Sequence, residues 1–321
     1  MGSEMCIRDR RRHVVIIGIG ALGSTLAMLS VRSGIGRLTL VDRDFVEAPN
    51  LQDQCLYEER DIGEAKAVAA AEHLQRINSQ AEIVPVVEDF NPRNAERIIE
   101  GADLCLDGTD NFETRYVLND AAVKHHTPWV YMGALRTYGA VMPIIPEKTA
   151  CLECIYPHAP PPGTLPTCES VGVLSSLPNT VASMGFTLGL KILLSQNVPK
   201  RLIAMNLWEG TFETVDIKSR RRGCECCERR SFNHLKYEGG QAVVSLCGRN
   251  AFQILPSKAE IDLNTLCEKL RKIGSVKVGK HLLRAHISGA EITLFPDGRA
   301  IIKGASSAER AKSIYSRYIG N

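Results

Sequence analysis

The chain has 321 residues, enough for one large domain and a small one. Hydrophobic residues make up 44% and charged residues 23%, the balance of an ordinary soluble globular protein. A formal net charge of +3 is too small to argue for nucleic acid, and the longest apolar stretch, 181–194, carries Lys191 and falls short of the ~20 residues a membrane span needs. Eleven cysteines without a secretory leader point to a reduced, cytoplasmic chain with no disulfide framework.

Residues 1–12 are arginine-rich and unpatterned. They read as a non-native or disordered N-terminus, with the native start missing, and carry no weight in the fold. The apolar run 13–18 ends in glycine and reads as a buried parallel strand. A helix over 21–33 and a strand over 37–42 follow. The alanine-rich stretch 63–78 reads as a long helix with Asp61 near its start. Next come a strand at 82–87, a helix at 94–100, a strand at 103–106, a helix at 112–124 and a strand at 128–131. This alternation predicts an α/β fold with a doubly wound, mainly parallel sheet.

The pattern changes after Gly133. A strand at 139–145 leads to a cysteine pair and the proline-rich loop 157–166. A buried helix at 179–194 and two antiparallel strands, 202–207 and 212–217, lead to a second pair. Polar residues 227–238 read as a linker. The tail carries a helix at 262–272, strands at 282–287, 291–295 and 299–303, a Pro296-Asp297-Gly298 turn and a helix at 308–318, a small α/β domain. The resulting division is 1–12, 13–230 and 231–321.

Gly18-Ile19-Gly20-Ala21-Leu22-Gly23 follows a strand and opens a helix. Glycines there let the backbone approach a phosphate, and the helix N-terminus favours anions. Asp42 ends the next strand, where a carboxylate can bond ribose hydroxyls. The motif alone does not separate ATP from NAD. Lys66 sits near a helix start and is either a phosphate contact or a solvated lysine. Asp110 follows the fourth strand at the carboxyl edge of the sheet, as a Mg²⁺ ligand or as the N-cap of the next helix.

Cys151-x-x-Cys154 and Cys224-x-x-Cys227 are two knuckles with the spacing of a structural zinc site; isolated buried thiols or a redox dithiol are the alternatives. Cys226 is a spare inside the second knuckle. Cys168 lies in the proline-rich crossover, where an exposed thiol becomes a nucleophile only if its pKa is lowered. The arginines at 220–222 and 229–230 read as a solvated basic rim, and His125, His126 and His158 as surface residues.

Together these residues resemble the ThiF/MoeB/HesA family, bacterial relatives of ubiquitin-activating enzymes. The resemblance runs from His13 to Cys227. It rests on Gly18, Gly20, Ala21 and Gly23, on Asp42 and Asp44, on Asn50 and Gln54, on Lys66, on Asp110 and Asn111 with Arg115, and on both cysteine pairs. It implies a Rossmann-like domain with a zinc-braced antiparallel extension. The implied activity is ATP-dependent adenylation of the C-terminal glycine of a ubiquitin-like sulfur carrier, for thiamine or molybdopterin synthesis. The glycine loop and Asp42 would hold adenosine, Asn50 and Lys66 the phosphates, and Asp110 the Mg²⁺, with Asp44, Gln54 and Asn111 as further cofactor-binding residues. Arg115 and Cys168 join Lys66 and Asp110 as catalytic residues. A homodimer and a sulfur donor such as a cysteine desulfurase are the implied partners, with no nucleic acid and no membrane.

One departure stands out: Asp53 occupies the place of the family's arginine. An anion there opposes triphosphate binding. A carrier-binding scaffold without activity is therefore one alternative, and an NAD-dependent oxidoreductase is the other. Tight NAD binding would favour the second, and carrier capture without AMP formation the first.

Overall fold

In the first strand, β1 (His13–Ile17), Val14 and Ile16 enter one buried cluster and Val15 and Ile17 another. Every residue is used because both faces of the sheet are covered, the condition for a parallel sheet. The structure is a computed structural model and describes residues 10–158, 171–217, 220–236, 242–246, 251–255, 261–279 and 282–320. The described residues up to Lys236 form one compact unit, and those from Ala242 onward form a second.

The first unit alternates β1, α1 (Ala21–Arg32), β2 (Arg37–Val41), α2 (Lys66–Ile77), β3 (Glu82–Val86), α3 (Ala95–Ile99), β4 (Leu104–Asp107), α4 (Phe112–Lys124) and β5 (Trp129–Leu135). It continues through β6 (Tyr138–Ile144), α5 (Leu152–Ile155), α6 (Ser176–Leu193), β7 (Arg201–Asn206) and β8 (Thr211–Asp216). One eight-stranded sheet runs in the order β3-β2-β1-β4-β5-β6-β7-β8. The strands up to β5 are parallel; β6, β7 and β8 pair antiparallel. The antiparallel extension is thus the same sheet carried on. Helices α1, α2 and α6 cover one face, and α3 and α4 the other. The order of connections reverses between β1 and β4, which opens a crevice at the carboxyl ends of those strands.

Several boundaries differ from the sequence reading. α2 begins at Lys66, not at residue 63, because Gly63 takes φ +96° and its N–H donates to the Val46 carbonyl at 2.9 Å. β5 runs on to Leu135 and turns tightly into β6 through Arg136 at φ +55°. α6 starts at Ser176, with Pro178 in the first turn where its missing N–H is harmless. The expected linker is docked as far as Lys236: the His234 N–H donates to Asp120 at 2.9 Å, and its ring lies 4.7 Å from that of Tyr116. At the N-terminus, Arg12 is anchored by Asp103 at 2.7 Å.

The second unit is a six-stranded antiparallel sheet in the order β11-β12-β13-β14-β10-β9, from β9 (Ala242–Leu246), β10 (Ala251–Leu255), β11 (Ser275–Val278), β12 (Leu283–Ile287), β13 (Ala290–Leu294) and β14 (Ala300–Lys303). Helices α7 (Leu263–Leu270) and α8 (Ala308–Tyr318) pack into its core, capped by Asp262 and Ser307. β9, β10 and β11 have no counterpart in the sequence reading.

Gly18, Gly23 and Gly108 meet backbone to backbone beside the crevice. A β-carbon on Gly23 would run into the Gly18 carbonyl, and one on Gly108 would strike the same atom. Gly23→Ala is expected to destabilise the first unit by about 1–3 kcal/mol through overpacking. Urea titration would check this, and an unchanged midpoint would contradict it.

Candidate nucleotide site and cysteine cluster

The glycine loop is shaped by its own backbone. Gly18 sits at φ +83° and donates to the Val41 carbonyl at 2.7 Å. α1 then opens with Gly20 as N-cap, with no side-chain cap and no acidic residue in its first turn. Its first N–H groups are left for an anion.

Asp42 faces this loop from the end of β2. Its carboxylate accepts the Ile19 N–H at 2.6 Å and the Asp44 N–H at 2.7 Å. Burial raises its pKa, against the pull of Lys66. Lys66 is 4% exposed, which removes the solvated-lysine alternative. Its N–H donates to the Asp44 carbonyl at 2.9 Å, and its Nζ lies 3.9 Å from the Asp44 carboxylate. Asp53 faces Lys66 as well, and burial raises the Asp53 pKa while Lys66 opposes the shift. One ammonium therefore serves Asp42, Asp44 and Asp53.

Asn50 is fixed in a 3₁₀ turn (Ala48–Gln52), where its Oδ1 accepts the Glu47 N–H at 2.9 Å. Gln54 is buried, with its Oε1 lacking any partner among the described residues and its Nε2 directed at Gly20. Tyr57 was not foreseen. Its buried hydroxyl donates to the Ile19 carbonyl at 2.7 Å and lies 3.3 Å from the Lys66 carbonyl, tying the glycine loop to α2. Its only signal in sequence is an aromatic residue three places after Gln54.

On the β4 side, Asp110 is exposed at the crevice. The N-cap of α4 is Asn111, whose Oδ1 accepts the Thr114 N–H at 2.9 Å, so capping does not use Asp110. Asn111 also donates to Asp110 at 3.3 Å. Arg43 joins the two sides: it pairs with Asp89 at 2.6 Å and lies 3.8 Å from Asp44. Burial pulls its pKa down, but Asp89, Asp44, Asp110 and Asp42 together push it up. Arg115, expected among the catalytic residues, is placed differently. It is buried and paired with Asp107 at 2.8 Å, beneath the loop that carries Asp110. Cys168 lies outside the described residues, as does Cys247 in the tail.

The four knuckle cysteines converge. Sγ separations are 3.8 Å for Cys151–Cys154, 3.6 Å for Cys151–Cys224 and 3.4 Å for Cys154–Cys227, and all four sulfurs lie within 4.8 Å of one another. A tetrahedron of sulfurs ~2.3 Å from a zinc ion has edges of ~3.8 Å. The hydrogen bond with Cys154 pulls the Cys151 thiol down to about 4, toward the thiolate that binds metals. Cys226 is buried beside Cys151, outside the group of four, and accepts from Asn119 Nδ2 at 3.2 Å. The cluster can hold a metal ion, and its four-way geometry excludes two isolated thiol pairs.

The ThiF family profile matches residues 1–226, more than half the chain. The chain belongs to the ThiF family. It is 37% identical over 316 residues to the sulfur carrier protein ThiS adenylyltransferase of Bacillus subtilis, covering 97% of this chain and 94% of that relative. It is 34% identical over 235 residues to the sulfur carrier protein adenylyltransferase of Thermus thermophilus, covering 71% of this chain and 86% of the relative. The crystal structure of E. coli MccB with ATP shares the fold, with a TM-score of 0.61 at 21% identity over 70% of this chain and 68% of that one. ThiF family membership sets aside the oxidoreductase alternative. Among the described residues no helix is long and apolar enough to cross a membrane.

Asp53 generates a pH dependence. The folded chain keeps the Asp53 proton to a higher pH than the unfolded chain, so its ionisation opposes folding as pH rises from ~4 toward neutrality. Asp53→Asn is expected to raise nucleotide-free stability at neutral pH and to make no difference below ~pH 3. Paired thermal melts across that range check this; a constant offset at every pH contradicts it.

Proposed function

We propose that this chain adenylates the C-terminal carboxylate of a ubiquitin-like sulfur carrier of the thiamine or molybdopterin type. The observation that carries the reading is Lys66, buried at the head of α2 beside the glycine loop and facing Asp42, Asp44 and Asp53. A buried ammonium on a phosphate-shaped loop suits a nucleotide triphosphate, and the names of the two relatives supply the acceptor.

A carboxylate is a poor acyl donor. In the reaction, the carrier's terminal carboxylate oxygen bonds to the α-phosphorus of ATP, and the bond from that phosphorus to the bridging oxygen breaks. The products are an acyl-adenylate and pyrophosphate. No side-chain nucleophile is needed, so alignment and charge stabilisation supply the acceleration. The α1 N-terminus, Asn50, Gln54 and Lys66 hold the phosphates. Asp42 and Asp44 orient the ribose. Asp110 and Asn111 would hold Mg²⁺, which neutralises charge on departing pyrophosphate. Cys168 is the thiol of the crossover loop in this reading, and a cysteine desulfurase or similar donor supplies sulfur afterwards. Zinc in the cysteine cluster, a homodimer, a cytoplasmic location and the division into an adenylation unit and a tail module belong to the same proposal.

Carrier-dependent ATP–pyrophosphate exchange tests the reading. Lys66→Ala and Asp110→Asn are each expected to lower it by ~10²-fold or more. Asp53→Arg is expected to raise it by restoring a cation. Carriers that bind without exchange would replace the reading by the scaffold alternative.

Elemental analysis is expected to find one zinc per chain, with Cys151→Ser losing the metal and melting at a lower temperature. A metal-free protein indifferent to chelators would remove zinc from the proposal.

A further inference from the structure

Asp107 was not among the expected site residues, yet it is fully buried at the end of β4 with both carboxylate oxygens engaged twice. Oδ1 accepts from the Thr109 N–H at 2.9 Å and the Thr109 hydroxyl at 2.6 Å. Oδ2 accepts from Arg115 Nε at 2.8 Å and from the Met132 N–H at 3.4 Å. Arg115 Nη2 in turn donates to the carbonyls of Thr109 at 2.6 Å and Met132 at 2.7 Å. The guanidinium packs 5.0 Å from the ring of Tyr131 and 5.4 Å from that of Phe112.

Two consequences follow. The β4–β5 ladder pairs Cys105 with Trp129 and Leu106 with Val130. Beyond it, Asp107 and Arg115 side chains take the Met132 backbone groups that a longer ladder would use. The pair therefore stands between the strands at the mouth of the crevice. Second, the N–H, hydroxyl and carbonyl of Thr109 are all held, so the peptide leading into Asp110 has one orientation. From the other side Asn111 is locked by its cap bond to Thr114. Asp110 itself is exposed and has little else to hold it.

We propose that Asp107 and Arg115 form a positioning clamp that presets Asp110 for its divalent cation, Arg115 acting through Thr109 rather than on the nucleotide. The proposal rests on the adenylation reading, since it takes Asp110 as the cation ligand. A buried guanidinium suits this task because its planar fork bonds a carboxylate through Nε and two carbonyls through Nη2 in fixed directions. Residues that orient a metal ligand without touching the metal are worth ~10–100-fold in metal affinity.

The test is Mn²⁺ binding in the presence of ATP, followed by electron paramagnetic resonance, which needs no carrier. Arg115→Lys is expected to weaken Mn²⁺ in the ternary complex by ~10–100-fold while metal-free ATP binding stays close to wild type. Arg115→Lys combined with Asp110→Asn is expected to lose no more than Asp110→Asn alone, because the two act on one ligand. If Arg115→Lys does not fold, Thr109→Val removes one bond of the clamp without touching the ion pair. It is expected to show a smaller loss in the same direction, restored by Thr109→Ser. Mn²⁺ binding that depends on Asp110 but is unmoved by Arg115→Lys or by Thr109→Val would overturn the clamp alone. Failure of the wild-type protein to bind Mn²⁺ and ATP together would overturn the adenylation reading and the clamp with it.

Discussion

Three glycine backbones touch where the sheet reverses its order, and the nucleotide site is built outward from that contact. Because Gly23 and Gly108 both lie against Gly18, α1 starts close over β1 and the β4 loop reaches the same point. The α1 N-terminus, the Asp42 carboxylate and the loop carrying Asp110 thus share one crevice, with Arg43 reaching both sides of it. Backbone closeness of this kind is set by sterics and leaves little freedom to the groups it positions.

Around that contact the charges are unbalanced. Asp42, Asp44 and Asp53 face Lys66, while Arg43 pairs with Asp89 and is shared with Asp44, Asp110 and Asp42. Burial already raises the pKa values of Asp42 and Asp53, so the nucleotide-free site holds more negative charge than it solvates well. A triphosphate brought in alone would worsen this. On the proposed reading, a triphosphate that arrives with a divalent cation would not, because the cation would meet Asp110 while Lys66 would meet phosphate oxygens. On this view Asp53 makes the chain more dependent on the cation than a relative with arginine at that place.

Much of this was legible in the sequence. The strand–glycine–helix run, Asp42, Lys66 and Asp110 stand on strand and helix ends that hydrophobic periodicity locates, so their common edge could be derived. The cysteine pairs were legible because metal spacing is written in the chain itself. What sequence could not supply was partnership across distance. Nothing local marks Tyr57 as the bond between Ile19 and the head of α2, or Asp107 as the acceptor for Arg115; the first depends on how the glycine loop packs on α2 and the second on how β4 and β5 part. The start of α2 was misplaced because alanine-rich propensity runs through Gly63, whereas tertiary hydrogen bonds hold that segment extended. The β9–β10 hairpin was missed because no Pro-Asp-Gly turn like the one between β13 and β14 marks its connection.

The cysteine cluster and the nucleotide edge are joined through α4. At one end of that helix Asn111 and Arg115 hold the loop of Asp110. Further along, Asn119 accepts the Leu152 N–H at 2.9 Å and donates to Cys226, while Asp120 accepts from His234 at 2.9 Å. The segments that bear the two knuckles are therefore fastened to the helix whose first turn frames Asp110. A metal ion in the cluster would set the position of α4 against the antiparallel end of the sheet. The Asp107–Arg115 pair stands between that helix and the crevice and bonds to β4, β5 and α4 at once. A strain in the cluster thus reaches Asp110 through α4, by way of the Asn111 cap and a buried ion pair that low-dielectric surroundings make stiff. The brace fixes where the helix lies, and the ion pair fixes what its first turn presents.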